Sequence, residues 1–147
     1  MTSSAQVRAM HAVVESVDMI PGQFSPETVA RACSIDLQET ASSNPYMREF
    51  EVRSDDELFS KVSLRVPSAG TEPTGILVLT PRESALLREG DVEQVFSFSS
   101  QWVDIDLRIP PEGIITHRET GCQRQVYLQF SLRSRLLRSI IVCDERT

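Results

Sequence analysis

The clearest hydrophobic pattern lies near the end of the chain, in residues 122–143. From 126 to 133 apolar and polar positions alternate, which is typical of a β-strand with one buried and one solvated face. Residues 136–143 are apolar on both faces and rich in β-branched side chains, which favours a strand covered on both sides. The two segments are predicted to form a hairpin in the middle of an antiparallel sheet. A helix over 136–143 remains an alternative, because its leucines and isoleucines are also spaced as a helical stripe.

Further strands are predicted between residue 46 and this hairpin, because apolar side chains alternate or cluster in short runs bounded by turn residues. Residues 81–89 are predicted to form a helical turn that ends at Gly90, whereas residues 92–98 fit a strand or a loop equally. The predicted strands are 46–53, 59–66, 76–79, 102–109 and 114–117.

Two helices are predicted before these strands. Residues 5–18 carry apolar side chains at helical spacing and are followed by a Pro-Gly stop. The second helix begins with Ser25 as N-cap and Pro26 at its first position. This order predicts one α+β domain over residues 1–147, with one or two N-terminal helices packed on an antiparallel, largely meander sheet whose other face is solvated.

Charge and hydropathy narrow the range of partners. The net charge of −6 argues against nucleic acid and anionic membranes, although residues 122–147 sum to +3 and residues 1–121 to −9. No apolar run approaches the ~20 residues that span a bilayer. No signal peptide is seen, so a cytoplasmic protein is predicted, or a periplasmic one if a leader has already been removed.

The cysteines and histidines offer little catalytic chemistry. Cys33, Cys122 and Cys143 form no CxxC motif and lie near no His at metal-ligand spacing. They are interpreted as buried thiols, with a disulfide between Cys122 and Cys143 as the alternative. His117 is interpreted as a solvated histidine at a hairpin end. A nucleophilic Cys–His pair of His117 with Cys122 is a further alternative. Glycine-rich phosphate motifs are also absent from the sequence. With none of these patterns present, no catalytic, cofactor-binding or metal-binding residue is assigned.

One exposed strand face remains as a candidate site. Trp102, Asp104 and Asp106 share the side of the predicted strand 102–109 that the alternation directs to solvent, and Tyr127 is a candidate neighbour. A Trp in that position is either covered by a loop or helix, or is an aromatic anchor ringed by acids, as in many protein interfaces. These four residues are the predicted partner-binding site, for a protein with a basic surface.

The segment SPETVARACSIDL leads from the second helix towards SSNPYMREFEV, the first long strand. This order of elements resembles small bacterial inhibitor and immunity-type domains, among which the β-lactamase-inhibitor-like fold is the best known. The resemblance implies a non-enzymatic module that neutralises a partner protein through an exposed sheet face, and it carries over no residue. Two alternatives stay open: a secretion-system or assembly component, and a small-ligand-binding protein or enzyme with a pocket between helices and sheet.

Overall fold

The structure is a computed structural model that describes residues 3–53, 58–68, 75–104 and 113–146. For Ser3, residues 100–104 and Arg146 it describes the backbone alone. The described residues form helices on one face of an antiparallel sheet, which confirms the predicted α+β class.

Two helices open the chain, as predicted: α1 (Ser3–Asp18) and α2 (Pro26–Cys33). A capping box starts α2, in which Thr28 N donates to Ser25 Oγ (3.1 Å) and Ser25 N donates to Thr28 Oγ1 (3.0 Å). Helical spacing gathers the apolar side chains of α1 on one side, where four are fully buried: Val7, Met10, Val14 and Val17.

Eight strands are described, and they form one sheet in the order β1-β2-β3-β4-β8-β7-β6-β5. Two antiparallel meanders, β1 to β4 and β5 to β8, are thus joined by the pairing of β4 with β8. Because β8 pairs with both β4 and β7, the predicted C-terminal hairpin does lie in the middle of the sheet. The strands are β1 (Gln38–Glu39), β2 (Met47–Arg53), β3 (Phe59–Pro67), β4 (Ile76–Pro81), β5 (Phe98–Asp104), β6 (Ile114–Glu119), β7 (Arg124–Ser131) and β8 (Leu137–Arg146).

The connection from β4 to β5 differs from the predicted helical turn over 81–89. It contains a 3-10 helix at Glu83–Ala85 and a short helix α3 (Glu89–Glu93), so Gly90 lies inside a helix rather than at its end. Leu86 separates the two helices in a left-handed conformation with a φ of 51°. That conformation interrupts a helix, and a hydrophobic period does not reveal it.

The predicted strand 102–109 is described only in part. Strand β5 begins at Phe98, before the predicted start, and pairs with β6 as far as Asp104. Residues 105–109 lie outside the described residues.

The hydrophobic core lies between the helices and one face of the sheet. One buried row crosses five strands in register: Phe50, Leu64, Leu77, Val142 and Val126. The segment 136–143 is therefore strand and not helix. The prediction that this strand is covered on both faces is wrong. Ile140 and Val142 are fully buried, whereas Ile141 and Cys143, on the opposite face, stay partly exposed.

A buried arginine joins the helices to the centre of the sheet. Arg124, the first residue of β7, is 1% exposed. Its guanidinium donates to the backbone carbonyls of Asp18 (2.7 Å), Ile20 (3.0 Å) and Gly22, at and just beyond the end of α1. Carbonyls at a helix end lack intrahelical donors, so the guanidinium satisfies acceptors that burial would otherwise leave unpaired.

Two carboxylates and a ring complete this arrangement, which we call the Arg124 clamp: Arg124, Asp18, Asp144 and Phe24. Asp144 Oδ1 lies 3.3 Å from Arg124 Nε, and Asp144 Oδ2 accepts the backbone N–H of Phe24 at 2.9 Å. The Asp18 carboxylate accepts the backbone N–H of Arg124 at 2.8 Å. The Phe24 ring centroid lies 4.8 Å from the guanidinium carbon. One side chain thus ties together the end of α1, the segment after it, β7 and β8.

The substitution Arg124→Met keeps much of the side-chain volume and removes every guanidinium donor of the clamp. We expect the free energy of unfolding to fall by about 3–5 kcal/mol, because Asp144 and the carbonyls are left buried without their cation. Urea denaturation followed by circular dichroism measures the change. The control Arg133→Met removes an exposed arginine and should change the free energy by less than about 0.5 kcal/mol. An equal loss of unfolding free energy in both variants would contradict the stabilising role of the clamp.

Candidate functional site

The sheet face opposite the hydrophobic core, here called the open face, contains three of the four positions predicted to bind a partner: Trp102, Asp104 and Tyr127. Trp102 pairs with Thr116 across β5 and β6, and Thr116 pairs with Gln129 on β7. Tyr127 lies two positions before Gln129 on β7, so the backbone register places positions 102 and 127 on the same face. They are two strands apart, which corresponds to about 10 Å across the sheet.

The side chains of this predicted site are described unevenly. Trp102 and Asp104 are described by their backbone alone, and Asp106 lies outside the described residues. Tyr127 is partly exposed, and its hydroxyl donates to Gln125 Oε1 at 2.7 Å. The role of these four residues as partner contacts stays a prediction.

An apolar strip runs through the middle of the open face: Ile76, Val78, Ile141, Cys143 and Tyr127. Val78 lies opposite Ile141, which lies opposite Tyr127, and Ile76 lies opposite Cys143. All five side chains are partly exposed. The outer face of a sheet that stays in water is usually polar, so a continuous apolar strip marks a candidate contact surface. The apolar runs of β4 and β8 are visible in the sequence, and only the run at 136–143 was predicted to be covered on both faces.

Charged side chains border the apolar strip on the side of β2 and β3. Arg65 Nε lies 2.9 Å from Glu49 Oε2. Glu51 lies 3.6 Å from both Arg53 Nε and Lys61 Nζ. Exposed pairs of this kind contribute only about 0–1 kcal/mol to stability. Because both acids have cationic neighbours, this border is a mixed polar rim and not an acidic patch.

The other border of the strip is polar as well. Arg118 on β6 lies opposite Tyr127, and Gln125 and Gln129 flank Tyr127 along β7. An apolar centre with a polar rim is the usual arrangement of a protein interface. Among the side chains that the structure describes, this border carries no acid.

His117, the candidate partner of Cys122, is buried and not solvated. It is 6% exposed because β6 continues to Glu119, which places His117 within the strand on the core face. Its Nε2 lies 2.8 Å from Glu89 Oε2, and its ring stacks on Phe98 with 4.2 Å between ring centroids. The ring therefore has a carboxylate and an aromatic neighbour in the core, so the prediction of a solvated hairpin-end histidine is wrong.

The three cysteines are free, which rules out the disulfide considered between Cys122 and Cys143. Strand register gives the reason, because Cys143 pairs with Gln125 on β7, whereas Cys122 precedes that strand. Burial is also the main cause that raises the pKa of all three thiols, to about 11 for Cys33 and about 12 for Cys122. Nearby carboxylates, of which Asp18 is the strongest, add to the effect at Cys122. A nucleophilic cysteine needs the opposite shift.

A groove of about 300 Å³ opens between the helices and strands β2 and β3. Its walls are mostly apolar, and they include Val13, Ala32, Cys33, Val52, Leu58 and Val62. This is the kind of space between helices and sheet that a small apolar ligand can occupy.

The described ranges contain neither a metal-ligating cluster nor a helix able to cross a membrane. No group of three or more His, Cys, Asp or Glu side chains there is arranged to hold a metal ion. None of the helices described has the length and apolar character needed to cross a bilayer.

Comparison with known proteins found no match among protein-family models, curated proteins or solved structures. The fold and the site together define only a class: an α+β protein whose sheet carries helices on one face and a partly exposed apolar strip on the other. The resemblance to inhibitor and immunity-type domains stays a prediction.

The raised pKa values predict thiols that react slowly in the folded protein. Since the pKa of Cys33 rises from 9.0 to about 11, its thiolate fraction at neutral pH falls about 100-fold. We expect Cys33 and Cys122 to react with iodoacetamide at least about 100-fold more slowly in the folded protein than in urea. Mass spectrometry of peptides after timed labelling resolves each site.

The labelling rate should rise about tenfold for each pH unit and level off only near these raised values, because the thiolate is the reacting form. Rapid labelling of folded Cys122 at neutral pH would contradict this prediction and favour the Cys–His alternative. The unfolded chain is the matched control, since it contains the same three thiols with ordinary pKa values.

Proposed function

We propose that this chain is a non-enzymatic protein-binding module that neutralises a partner protein, as inhibitor and immunity-type domains do, with the open face as its contact surface. The apolar strip supports this proposal most directly, because its five side chains lie together and partly exposed at the centre of the sheet. Covering such a strip with a partner gains about 25 cal/mol for each Å² of apolar surface removed from water.

The partner is proposed to have an apolar centre and a basic border. A net charge of −6 favours encounter with a basic protein. On the β2–β3 border, Arg53, Lys61 and Arg65 outnumber Glu49 and Glu51. The basic part of the partner is therefore proposed to meet the β5 side of the open face, which contains positions 102 and 104. Asp106, the remaining acid of the predicted site, lies outside the described residues.

Affinity capture from a lysate of the source organism tests the proposal. We expect the tagged protein to retain one basic protein in stoichiometric amount at low salt, and less of it in ~0.5 M salt, because salt screens exposed charges. Two variants should lose the partner while staying folded: Trp102→Ala with Asp104→Arg, and Val78→Thr with Ile141→Thr. The second variant removes apolar surface but keeps β-branched side chains, which suit a strand.

The matched control for the first variant is Tyr46→Ala with Asp36→Arg, which likewise replaces one aromatic residue by Ala and one Asp by Arg, at exposed positions outside the strip. The control should capture the partner as the unmodified protein does. Circular dichroism and thermal melting establish that each variant is folded. Normal capture by both open-face variants, or no capture by the unmodified protein in either salt, would refute the proposal.

A second candidate function, the binding of a small apolar ligand, is favoured by the groove between the helices and the sheet. Its lining is mostly apolar, and the Cys33 thiol within it has a pKa of about 11 and is neutral at physiological pH. A ligand of this site would therefore be uncharged and apolar where it meets the wall.

A neutral fluorescent probe, N-phenyl-1-naphthylamine, tests the groove. We expect saturable binding that Ala32→Leu abolishes, because the larger side chain fills the space that the ligand needs. The control Ala30→Leu makes the same change on α2 at a residue that does not line the groove. Unchanged probe binding in Ala32→Leu would contradict this second function.

A further inference from the structure

We propose that a second pocket, at the end of the sheet near the β7–β8 turn, binds a small organic phosphate. This pocket, here called the arginine pocket, has a volume of about 490 Å³ and is open to solvent. It lies between the ends of β3, β4, β7 and β8 and the segment 82–87. None of the five residues of the apolar strip lines it, so this proposal does not rest on the open-face function.

The polar side of the arginine pocket consists of guanidinium and hydroxyl groups. Arg82 and Arg138 both line it, and Arg138 Nη1 donates to Ser131 Oγ at 3.0 Å. One carboxylate, that of Glu83, is also in the wall. Planar guanidinium groups match the oxygens of a phosphate with two parallel hydrogen bonds. Four hydroxyl groups accompany them: Ser60, Thr80, Ser131 and Ser134.

The charge of the surrounding segments favours an anion. Residues 82–89 and 133–138 together contain five arginines and two glutamates, in a chain whose net charge is −6. One of these glutamates, Glu89, lies 3.4 Å from Arg135. The two segments are held against each other by backbone hydrogen bonds from Leu137 N to Leu87 O (2.7 Å) and from Glu89 N to Arg135 O (2.9 Å). The fold thus concentrates positive charge at one end of an acidic protein, which raises the local concentration of anions there.

The apolar side of the pocket indicates an organic ligand. Leu86, Leu136 and Pro81 line it, and Leu86 is 60% exposed. The volume of the pocket exceeds what a phosphate group alone needs, and it is in the range of pockets that hold small organic molecules. Two guanidiniums with several hydroxyls suit a dianion with three terminal oxygens better than a carboxylate with two. The overall acidity of the chain disfavours a nucleic-acid polyanion.

Phenyl phosphate is a suitable probe, because it joins a phosphate dianion to a ring. We expect phenyl phosphate to bind saturably at millimolar concentration and to raise the melting temperature. Phenol should not bind, and inorganic phosphate should bind more weakly, because each lacks one half of the ligand. Isothermal titration calorimetry gives the three affinities. Leu86→Asn should reduce the advantage of phenyl phosphate over inorganic phosphate, since Asn tolerates the left-handed conformation but removes apolar contact.

The decisive comparison uses two double variants with the same change of charge. Arg82→Gln with Arg138→Gln should weaken phenyl phosphate binding by about tenfold or more for each guanidinium removed. Arg8→Gln with Arg31→Gln, at exposed positions on α1 and α2, should leave it unchanged. The single variant Arg82→Gln replaces the pair if melting shows that the double variant is unfolded. Equal weakening in both double variants would overturn the proposal, as would no binding to the unmodified protein or tighter binding of a phosphoserine peptide.

Discussion

The hydrogen bonds of the Arg124 guanidinium hold the helical layer against the sheet. Taking this cation out of water costs several kcal/mol, and the carbonyls at the end of α1 together with the Asp144 carboxylate offset that cost only in one geometry. The end of α1 is therefore anchored over β7 and β8, beside the fully buried Val126 and Val142. This contact fixes where the end of α1 lies on the covered face, whereas the buried apolar side chains of the helices and strands define that face.

The open face and the arginine pocket are both consequences of the order of the strands. Since α1 and α2 pack on one face, the outward residues of the central strands β4 and β8 have no described helix over them, and Val78 and Ile141 remain partly exposed. Strand β4 is central and β5 is at the edge, so the chain between them must cross the end of the sheet. That crossing brings Leu87 to Leu137 and Glu89 to both His117 and Arg135, and it forms one wall of the arginine pocket.

The alternation of side chains along the strands also indicates which charged residues are buried. Arg124 is two residues before Val126, and Asp144 is two residues after Val142, so both are in the buried phase of their strands. Extending the two-residue period of each strand by one repeat therefore predicts that Arg124 and Asp144 are buried as an ion pair. Charged residues usually prefer water, so this prediction runs against their general tendency. His117 likewise shares the phase of the buried Ile115. The left-handed Leu86, which interrupts the predicted helical turn, has no comparable signal in the sequence.

The sequence by itself determined the α+β class, the N-cap of α2 at Ser25 and the alternation of β3 and β7. These features depend on side chains within a few positions of one another, so local preference and periodicity specify them. Only the tertiary structure decided that residues 136–143 are a strand and that β8 pairs with β4. It also decided that described helices cover one face of the sheet, and that Arg124 meets carbonyls 102–106 positions earlier in the chain. Such contacts are set by the packing of whole layers, because each gains free energy only after distant segments have come together.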